Sequence, residues 1–389
     1  MNPFVYEVPT KVYFGENQLG HLGGELRRFG KRVLLCYGGG SIKKTGLYDK
    51  VKAEIEKAGL ELFELGGIEP NPRVTSVNAG GKICRDKNVD VVLAVGGGSV
   101  IDCAKYIGAA AYYEGDAWDI LLKKVDVDKC LPIVTVLTLA ATGSEMDCGG
   151  VISNAETKDK IGLLFSVMQP KVSFLDPTNT YTVSPYQTAC GAADIMSHII
   201  EEYFQREQDL QMLDGFMETL LKTVIKYTPI AMKEPDNYEA RANLMWASSW
   251  AINGFIAGGK RQEWSCHPME HELSAIYDIT HGLGLAILTP RWLEYCIDET
   301  TVGKYRQFGV NVFGIDPSLP DMEIAKESII ALCKFFYSTL DLEGTFSELG
   351  IDNTNFEIMA QKAVANGNTL DAYKPLAAED IVKIYDMCL

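Results

Sequence analysis

Residues 91–105 read Val91-Val-Leu-Ala-Val-Gly96-Gly97-Gly98-Ser99-Val-Ile-Asp102-Cys-Ala-Lys105. The apolar, β-branched run predicts a buried strand, and the segment after the glycines predicts a helix. Glycine lets the backbone approach a phosphate group closely, and the free amides at the start of the helix favour an anion. The stretch therefore predicts a parallel strand followed by a phosphate-binding turn, with a glycine-rich turn that binds no ligand as the alternative.

The same order of strand, glycine-rich turn and helix occurs earlier in the chain. An apolar run at 32–37 ends at Gly38-Gly39-Gly40-Ser41, and a helical stretch follows at 46–59. Further strands are expected at 61–64 and 132–137, with another helix at about 74–87. This alternation predicts an α/β domain in which helices cover both faces of a parallel sheet.

A third polar loop follows the predicted strand at 132–137. It contains Thr138, Thr142 and Ser144, whose hydroxyl groups can bond to phosphate or ribose oxygens, although such residues also serve as simple helix caps. In an open parallel sheet, ligands bind at the carboxyl ends of the strands. Three loops of this kind at three strand ends predict a long ligand with several phosphate groups, such as a dinucleotide.

The pattern of the sequence changes after a turn-rich stretch at 176–185. Beyond it, nearly every segment is long and has the period of a helix, as at 210–226, 238–255, 283–296 and 322–340. We therefore expect two domains. Residues 1–185 would form the α/β dinucleotide-binding domain, and residues 186–389 would form an all-helical domain that binds a metal.

The metal is expected because histidines cluster in this second half. The chain has 5 histidines, and one of them, His198, follows Asp194 by four residues on a predicted helix, so both side chains share one face. A second cluster contains three more histidines, at 267, 271 and 281. Imidazole and carboxylate groups suit iron, zinc or manganese, whereas separate core histidines are the alternative. The residues expected to share one ion are Asp194, His198, His267 and His281.

The composition argues against several classes of partner. The chain has 389 residues, with 52 acidic and 36 basic side chains and a net charge of −16. So acidic a protein is not expected to bind duplex nucleic acid or an anionic membrane. No apolar run reaches the roughly 18–20 residues that cross a bilayer, and the first residues do not resemble a signal peptide. The ten cysteines are scattered without a Cys-x-x-Cys pair, which favours reduced thiols and a cytoplasmic location.

Together these motifs resemble those of the iron-containing (group III) alcohol dehydrogenases, which have a dehydroquinate synthase-like fold. The matching segments extend over the whole chain and lie at 9–15, 69–72, 96–102, 141–145, 194–198 and 267–281. The resemblance is closest to the butanol dehydrogenase and NADPH-dependent aldehyde reductase branch. It implies an α/β dinucleotide-binding domain followed by an all-α domain, and it suggests a homodimer.

The resemblance also implies roles for individual residues. The four expected metal-binding residues match the ligands of the family, and His271 matches a histidine beside the substrate. Lys160 matches a lysine near the nicotinamide ribose, whereas Asp147 replaces the asparagine of some relatives and is given no role. The remaining cofactor contacts implied are Gly38, Gly39, Ser41, Gly97, Gly98, Ser99, Asp102, Thr138 and Thr142.

The turn at 38–41 would lie near the adenosine ribose and so bears on the choice of cofactor. Many NAD-preferring relatives carry an aspartate in this turn, which binds the ribose 2′-hydroxyl and repels a 2′-phosphate. Here glycines and Ser41 occupy the turn, and Lys43 follows two residues later. We therefore expect NADP(H) to be favoured over NAD(H). Four protein ligands nearly fill a tetrahedral zinc shell, so Fe(II) is the expected metal and Zn(II) the alternative.

The expected reaction is reversible hydride transfer between NAD(P)H and a small to medium aliphatic aldehyde. The metal would polarise the carbonyl. His271, whose imidazole titrates near neutrality, or a water and ribose hydroxyl chain beside it, would donate the proton. A histidine that orients a ligand or caps a helix is the alternative for His271. Two other functions stay open: a dehydroquinate synthase- or glycerol dehydrogenase-type enzyme, and a silent metal- or nucleotide-binding protein. The dehydroquinate synthase type handles a polyanionic substrate, yet the basic residues nearest to the metal cluster in the sequence are Lys260 and Arg261.

Overall fold

The computed structural model describes residues 1–207, 209–367, 369–370 and 372–389. Contacts along the chain define two compact units. The sheet unit comprises residues 7–183 and 235–249, and the helical unit comprises residues 1–6, 184–234 and 250–389. The division into domains at 1–185 and 186–389 stays a prediction.

Eight strands are found among the described residues of the sheet unit. They are β1 (Lys11–Phe14), β2 (Arg32–Tyr37), β3 (Glu61–Leu65), β4 (Val91–Gly96), β5 (Ile133–Leu137), β6 (Gly149–Asn154), β7 (Asp159–Leu164) and β8 (Val172–Leu175). Six of them form a parallel sheet in the order β1–β8–β5–β4–β2–β3, while β6 and β7 form a separate antiparallel hairpin. The expected parallel sheet is thus confirmed, and the hairpin and the short strands β1 and β8 are additions to it.

Helices cover both faces of this sheet, as the alternation of elements predicts. They are α1 (Leu22–Arg27), α2 (Ser41–Lys44), α3 (Leu47–Lys57), α4 (Val74–Lys87), α5 (Gly98–Ala110) and α6 (Trp118–Leu121). Successive side chains of β2 point to opposite faces, so Val33 and Leu35 pack with α1 and α3, whereas Leu34 and Cys36 pack with α4 and α5. Both faces of the strand are therefore apolar.

The register of the sheet places the three glycine- or hydroxyl-rich loops at one edge. Gly96, the last residue of β4, lies opposite Leu137, the last residue of β5. Tyr37, which ends β2, lies opposite Val95 of β4. Because these neighbouring parallel strands end level with one another, the loops at 38–41, 97–99 and 138–148 all begin at the same edge of the sheet.

The remaining helices are α7 (Pro185–Tyr203), α8 (Gln211–Lys233), α9 (Tyr238–Trp250), α10 (Cys266–Tyr277), α11 (His281–Cys296), α12 (Val302–Phe313), α13 (Asp321–Cys333), α14 (Phe356–Asn366) and α15 (Ala378–Asp386). Most of α9 belongs to the sheet unit. The helical character expected of this half is confirmed. No helix in the described part of the chain combines the length and the apolar character needed to cross a bilayer.

Three helices differ from the sequence expectation at their ends, and the first of them, expected at 210–226, continues through Pro229 to Lys233. The helix expected at 238–255 ends at Trp250, and Gly254 follows with φ of 86°, a left-handed conformation that interrupts a helix. The helix expected at 322–340 ends as an α-helix at Cys333. The backbone then continues as a π-helical segment, Lys334–Thr339, whose wider turns the apolar period cannot reveal.

Candidate metal and dinucleotide sites

Helix α7 is buried over most of its length and carries polar side chains in its interior. It begins at Ser184, whose side chain caps the helix by accepting a hydrogen bond from the Gln187 amide, and Pro185 occupies the first helical position. Farther along, Asp194 and His198 are only 3% and 4% exposed. Asp194 Oδ1 and His198 Nδ1 have no hydrogen-bond partner within the described residues. A buried carboxylate oxygen without a partner is costly, so Asp194 Oδ1 favours a bound cation.

Three histidine nitrogens converge on the Asp194 carboxylate. Nε2 of His198 and Nε2 of His267 each lie 3.8 Å from Asp194 Oδ1, and Nε2 of His281 lies 3.7 Å from it. Ligand atoms bonded at about 2.0–2.2 Å to one tetrahedral ion lie about 3.5 Å apart, so these separations fit a shared divalent ion. The donor atoms of Asp194, His267 and His281 also lie within 4.8 Å of one another, and His198 joins this group through Asp194.

Glu201 holds His267 in the orientation that such an ion requires. Its Oε2 accepts a short hydrogen bond from His267 Nδ1, and its Oε1 accepts the backbone amides of Ser265 and Cys266 at 2.6 Å each. Because a carboxylate only accepts, Nδ1 carries a proton and Nε2 faces Asp194, where a bound ion would take the Nε2 lone pair. This contact of Glu201 is not among the predictions from the sequence. Glu201 follows Asp194 by seven residues, two helical turns, and this spacing could have revealed it.

Glu270 orients His281 in the same way as Glu201 orients His267. Its Oε2 accepts a short hydrogen bond from His281 Nδ1, and its Oε1 accepts one from the Ser274 hydroxyl. Glu270 is fully buried on α10, whereas His281 is the first residue of α11. Sequence reasoning missed this contact as well, because the two residues lie on different helices.

The electrostatics of the site favour a cation. Burial lowers the pKa of His198 to about 3 and so keeps this ring neutral. Burial opposes the charge on Asp194, but the neighbouring histidines outweigh it and hold the pKa of this carboxyl well below its usual value. At His267 burial is outweighed by Glu201 and Asp194, which raise its pKa to about 9. The carboxylates therefore stabilise either a proton on His267 or a metal ion that displaces it.

His271 lies beside the predicted ligand group, and one of its ring nitrogens is within 4.8 Å of ligand atoms of Glu270 and His281. It follows His267 by one turn of α10 and is half-buried. Its ring centroid is 5.7 Å from that of His281 and 6.4 Å from that of His267. The structure thus places His271 next to the predicted ligands, and its role as proton donor stays a prediction.

In the sheet unit, β4 leads into α5 through the turn predicted to bind phosphate. Gly96 ends the strand, Gly97 caps the helix and Gly98 begins it. A Cβ atom on Gly98 would lie 2.3 Å from Thr142 Oγ1, so the loop after β5 rests directly on the first turn of α5. The amide of Thr138 donates a hydrogen bond of 3.1 Å to the Gly96 carbonyl. The structure therefore brings together the predicted contacts of these two loops, including Ser99 one residue farther along the helix.

Asp102 and Lys160, two further predicted cofactor contacts, are buried. Asp102 Oδ1 accepts a hydrogen bond of 2.6 Å from the Ser144 hydroxyl, and Oδ2 accepts one of 3.0 Å from the Val151 amide. Burial raises the pKa of Asp102 to about 6. Lys160 lies on β7 opposite Ser153 of β6. Both carboxylate oxygens of Asp102 are thus bonded to the protein, and the roles of both residues stay predictions.

The turn after β2 places a cation near the predicted ribose contacts. Gly38 and Gly39 follow the strand, Gly40 adopts φ of 103°, and the exposed Ser41 begins α2. Lys43 Nζ lies 4.8 Å from the ring centroids of Tyr37 and Tyr48, a cation–π arrangement with two aromatic rings. Residues 38–41 contain no carboxylate.

Known proteins resemble the chain along its entire length. It is 51% identical over 386 residues to NADH-dependent butanol dehydrogenase A of Clostridium acetobutylicum, with 99% of each chain covered. It is 38% identical over 373 residues to the NADPH-dependent aldehyde reductase YqhD of Escherichia coli, with 95% of each chain covered. The crystal structure of NADH-dependent butanol dehydrogenase A from Thermotoga maritima matches it with a TM-score of 0.95 and 37% identity, over 100% of this chain and 99% of that one.

Family models match both parts of the sequence. Residues 9–177 match the model described as iron-containing alcohol dehydrogenase. Residues 188–389 match the model described as the C-terminal part of the Fe-containing alcohol dehydrogenase family. Together with the fold and the convergence of three histidines on Asp194, these matches confirm the resemblance inferred from the sequence. The chain belongs to the iron-containing alcohol dehydrogenase family.

Proposed function

We propose that this chain is a metal-dependent NAD(P)H alcohol dehydrogenase that interconverts small to medium aliphatic aldehydes and primary alcohols. The observation that carries the proposal is the convergence of three imidazole nitrogens on Asp194 Oδ1 at 3.7–3.8 Å. The relatives named butanol dehydrogenase and aldehyde reductase support the substrate class. In the direction of reduction, an aldehyde, NAD(P)H and one proton give a primary alcohol and NAD(P)⁺.

The residues of the helical unit would prepare the carbonyl for hydride. A divalent ion held by Asp194, His198, His267 and His281 would supply Lewis-acid polarisation of the carbonyl oxygen. Glu201 and Glu270 keep two of these imidazoles in the required tautomer and orientation. His271 donates the proton that the product oxygen needs, because it lies beside the ligands.

The residues of the sheet unit would hold the dinucleotide. The amides of Gly97, Gly98 and Ser99 open α5, and the first turn of a helix favours phosphate oxygens. Thr138 and Thr142 add hydroxyl donors from the neighbouring loop. Lys160 approaches the nicotinamide ribose. Asp102 stabilises the loop after β5 by accepting hydrogen bonds from Ser144 and Val151.

We also propose that NADP(H) is favoured over NAD(H). Gly38, Gly39 and Ser41 leave the turn after β2 without a carboxylate that would repel a 2′-phosphate, and Lys43 supplies a nearby positive charge. Relatives named for each cofactor are known. Steady-state kinetics with both cofactors test the preference, and a kcat/KM that is higher with NADH would refute it.

The proposed metal is Fe(II), with Zn(II) as the alternative. One carboxylate and three imidazoles suit either ion, and an ion that accepts five or six ligands leaves positions open for the substrate. Metal analysis of protein purified without added metal, followed by reconstitution of the stripped protein with each ion, distinguishes the two. Fe(II) should restore the higher turnover.

Location and assembly complete the proposal. We propose a cytoplasmic enzyme, since the described cysteines are free thiols and most of them are buried. We further propose a homodimer formed through β1, one of the two edge strands of the sheet. Light scattering should give a mass of twice the 42.9 kDa of the chain, and a proline at Val12 should reduce it.

The decisive experiment is an activity panel with protein of known iron and zinc content. NADPH and NADH oxidation would be followed with butanal and with its shorter and longer homologues. We expect turnover that depends on metal content and is lost in Asp194→Ala. Cofactor oxidation that persists after the metal is removed, or no turnover with any aldehyde, would overturn the proposal.

A further inference from the structure

Lys105 is a fully buried lysine on α5 whose three ammonium protons all have partners. Its Nζ lies 2.6 Å from Asp147 Oδ1, 2.6 Å from the Gly149 carbonyl and 2.9 Å from the Ser144 hydroxyl. A lysine has three donors and no acceptor, so no proton of this group is left for a ligand. Whatever Lys105 contributes to function, it contributes through the segment that it binds.

Two neighbours of Lys105 on the same helix bind the same segment. Asp102 accepts hydrogen bonds from the Ser144 hydroxyl and the Val151 amide. The Tyr106 hydroxyl donates a hydrogen bond of 3.2 Å to the Gly150 carbonyl. The side chains of Asp102, Lys105 and Tyr106, which we call the α5 clamp, therefore fix residues 144–151 against the helix that follows the glycine-rich turn.

The clamped segment lies between two of the predicted cofactor contacts. Thr142 precedes it by two residues, and its hydroxyl oxygen would be 2.3 Å from a Cβ placed on Gly98. On the other side, residues 149–154 form β6, which pairs with β7 and so carries Lys160 opposite Ser153. A shift of the segment would displace Thr142 from the first turn of α5, and it would displace Lys160 together with the hairpin.

We propose that Lys105 is a positioning residue for the dinucleotide: it holds the segment 144–151 so that Thr142 and Lys160 meet the cofactor bound at the glycine-rich turn. Lys105 is the member of the clamp with the most partners, and its charge offsets the partly buried carboxylate of Asp147. The inference rests on the proposed dinucleotide role of residues 97–99. It predicts weakened cofactor binding without loss of the metal.

The test compares Lys105→Met with a matched control in the helical unit. Lys304 Nζ also forms a buried ion pair with an aspartate, Asp214 Oδ2, at the same distance of 2.6 Å. Both substitutions remove a buried cation, so both should lower the thermal midpoint. The dissociation constant of NADPH, measured directly by its fluorescence, should rise about ten-fold in Lys105→Met and change less than about two-fold in Lys304→Met.

A double variant separates positioning from stability. Lys105→Met leaves the partly buried Asp147 carboxylate without its cation, and adding Asp147→Asn removes that negative charge. The double variant should recover thermal stability while NADPH binding stays weak, because no ammonium group connects Ser144 and Gly149. Recovery of affinity together with stability would reduce Lys105 to a structural residue and overturn the inference.

The wild-type protein distinguishes this inference from the proposed function. If wild-type protein binds NADPH and Lys105→Met binds it equally well, the positioning role is wrong and the dinucleotide role stands. If the folded, metal-loaded wild-type protein binds neither NADPH nor NADH, the proposed function itself fails. Kinetics add a second readout: KM for the cofactor should rise in Lys105→Met, whereas kcat at saturating cofactor should fall less than about three-fold.

Discussion

Gly282 packs directly against the backbone of Cys190. A Cβ atom on Gly282 would lie 2.0 Å from the Cys190 carbonyl oxygen, a distance that no side chain can occupy. Gly282 follows His281 at the start of α11, and Cys190 precedes Asp194 by one turn of α7. The contact therefore sets the distance between the two helices at the point where His281 approaches Asp194.

Substitution Gly282→Ala should separate these helices and weaken the metal site. The clash is with backbone, which cannot rotate away, so we expect a loss of about 1–3 kcal/mol in the free energy of unfolding. Metal content after dialysis should fall, because His281 would move away from Asp194. Urea unfolding and metal analysis measure the two effects.

The matched control is Gly215→Ala on α8. A Cβ at this exposed position meets nothing within 4 Å. Alanine should therefore stabilise the helix by about 0.5–1 kcal/mol and leave the metal content unchanged. Equal changes in unfolding free energy and metal content in the two variants would show that close packing at Gly282 does not determine the metal site.

Substitution Glu201→Gln should reduce metal affinity while leaving every predicted ligand in place. The amide nitrogen of glutamine would face groups that now donate hydrogen bonds to Glu201. The orientation of His267 would therefore be lost. We expect a loss of about 10–100-fold in metal affinity, measured by competition with a chelator. Glu202→Gln on the same helix is the control, since Glu202 pairs with Lys260 and not with a histidine. An unchanged affinity in Glu201→Gln would remove Glu201 from the metal site.

Metal binding should raise the thermal stability of the wild-type protein but not that of Asp194→Ala. An ion that binds the folded state alone stabilises it by about 2.7 kcal/mol at 100 times its dissociation constant. Asp194 provides the oxygen on which all three histidines converge, so its loss should abolish this effect. Differential scanning calorimetry with Fe(II) or Zn(II) provides the measurement, and an equal shift in both proteins would place the ion elsewhere.

Ionisation of Glu145 should lower the free energy of unfolding as the pH rises. Burial raises its pKa to about 7, and one carboxylate oxygen has no partner among the described residues. Its folded-state pKa lies above its unfolded value, so its contribution to stability is complete below about pH 4.5 and is lost as the pH rises through 7. Relative to wild type, the free energy of unfolding of Glu145→Gln should increase by on the order of 3 kcal/mol between pH 4.5 and pH 8. Urea unfolding at several pH values gives this difference, and a difference between variant and wild type that stays constant across the range would contradict the prediction.

Much of the fold could be predicted from the sequence because its signals are local. The runs at 32–37 and 91–95 are apolar on both faces, which is typical of a central parallel strand, and glycines mark where each one ends. The hairpin of β6 and β7 was missed because its strands begin at Gly149 and Asp159, residues that strands disfavour. Strands β1 and β8 have four residues each, too few to establish a period.

The candidate site could be predicted only in part for the same reason. Asp194 and His198 share a helix, so their spacing predicts that they meet, and the same rule extends to Glu201. The contact of Glu270 with His281 joins two helices, and that of Lys105 with Asp147 joins a helix to a loop 42 residues away. Such pairs depend on the packing of the whole chain, and no local pattern reveals them.

Residues 235–249 belong to the sheet unit although they follow a segment of the helical unit, and this limits how the protein can be divided into fragments. The chain passes between the two units four times, at 6/7, 183/184, 234/235 and 249/250. A fragment that stops at residue 185 would lack Ser249, the hydroxyl donor to Glu145, and Trp246, the aromatic neighbour of Phe14. No single protease cut or gene truncation can therefore deliver the sheet unit intact, whereas a chain that ends at residue 249 and has a linker in place of 184–234 would preserve it.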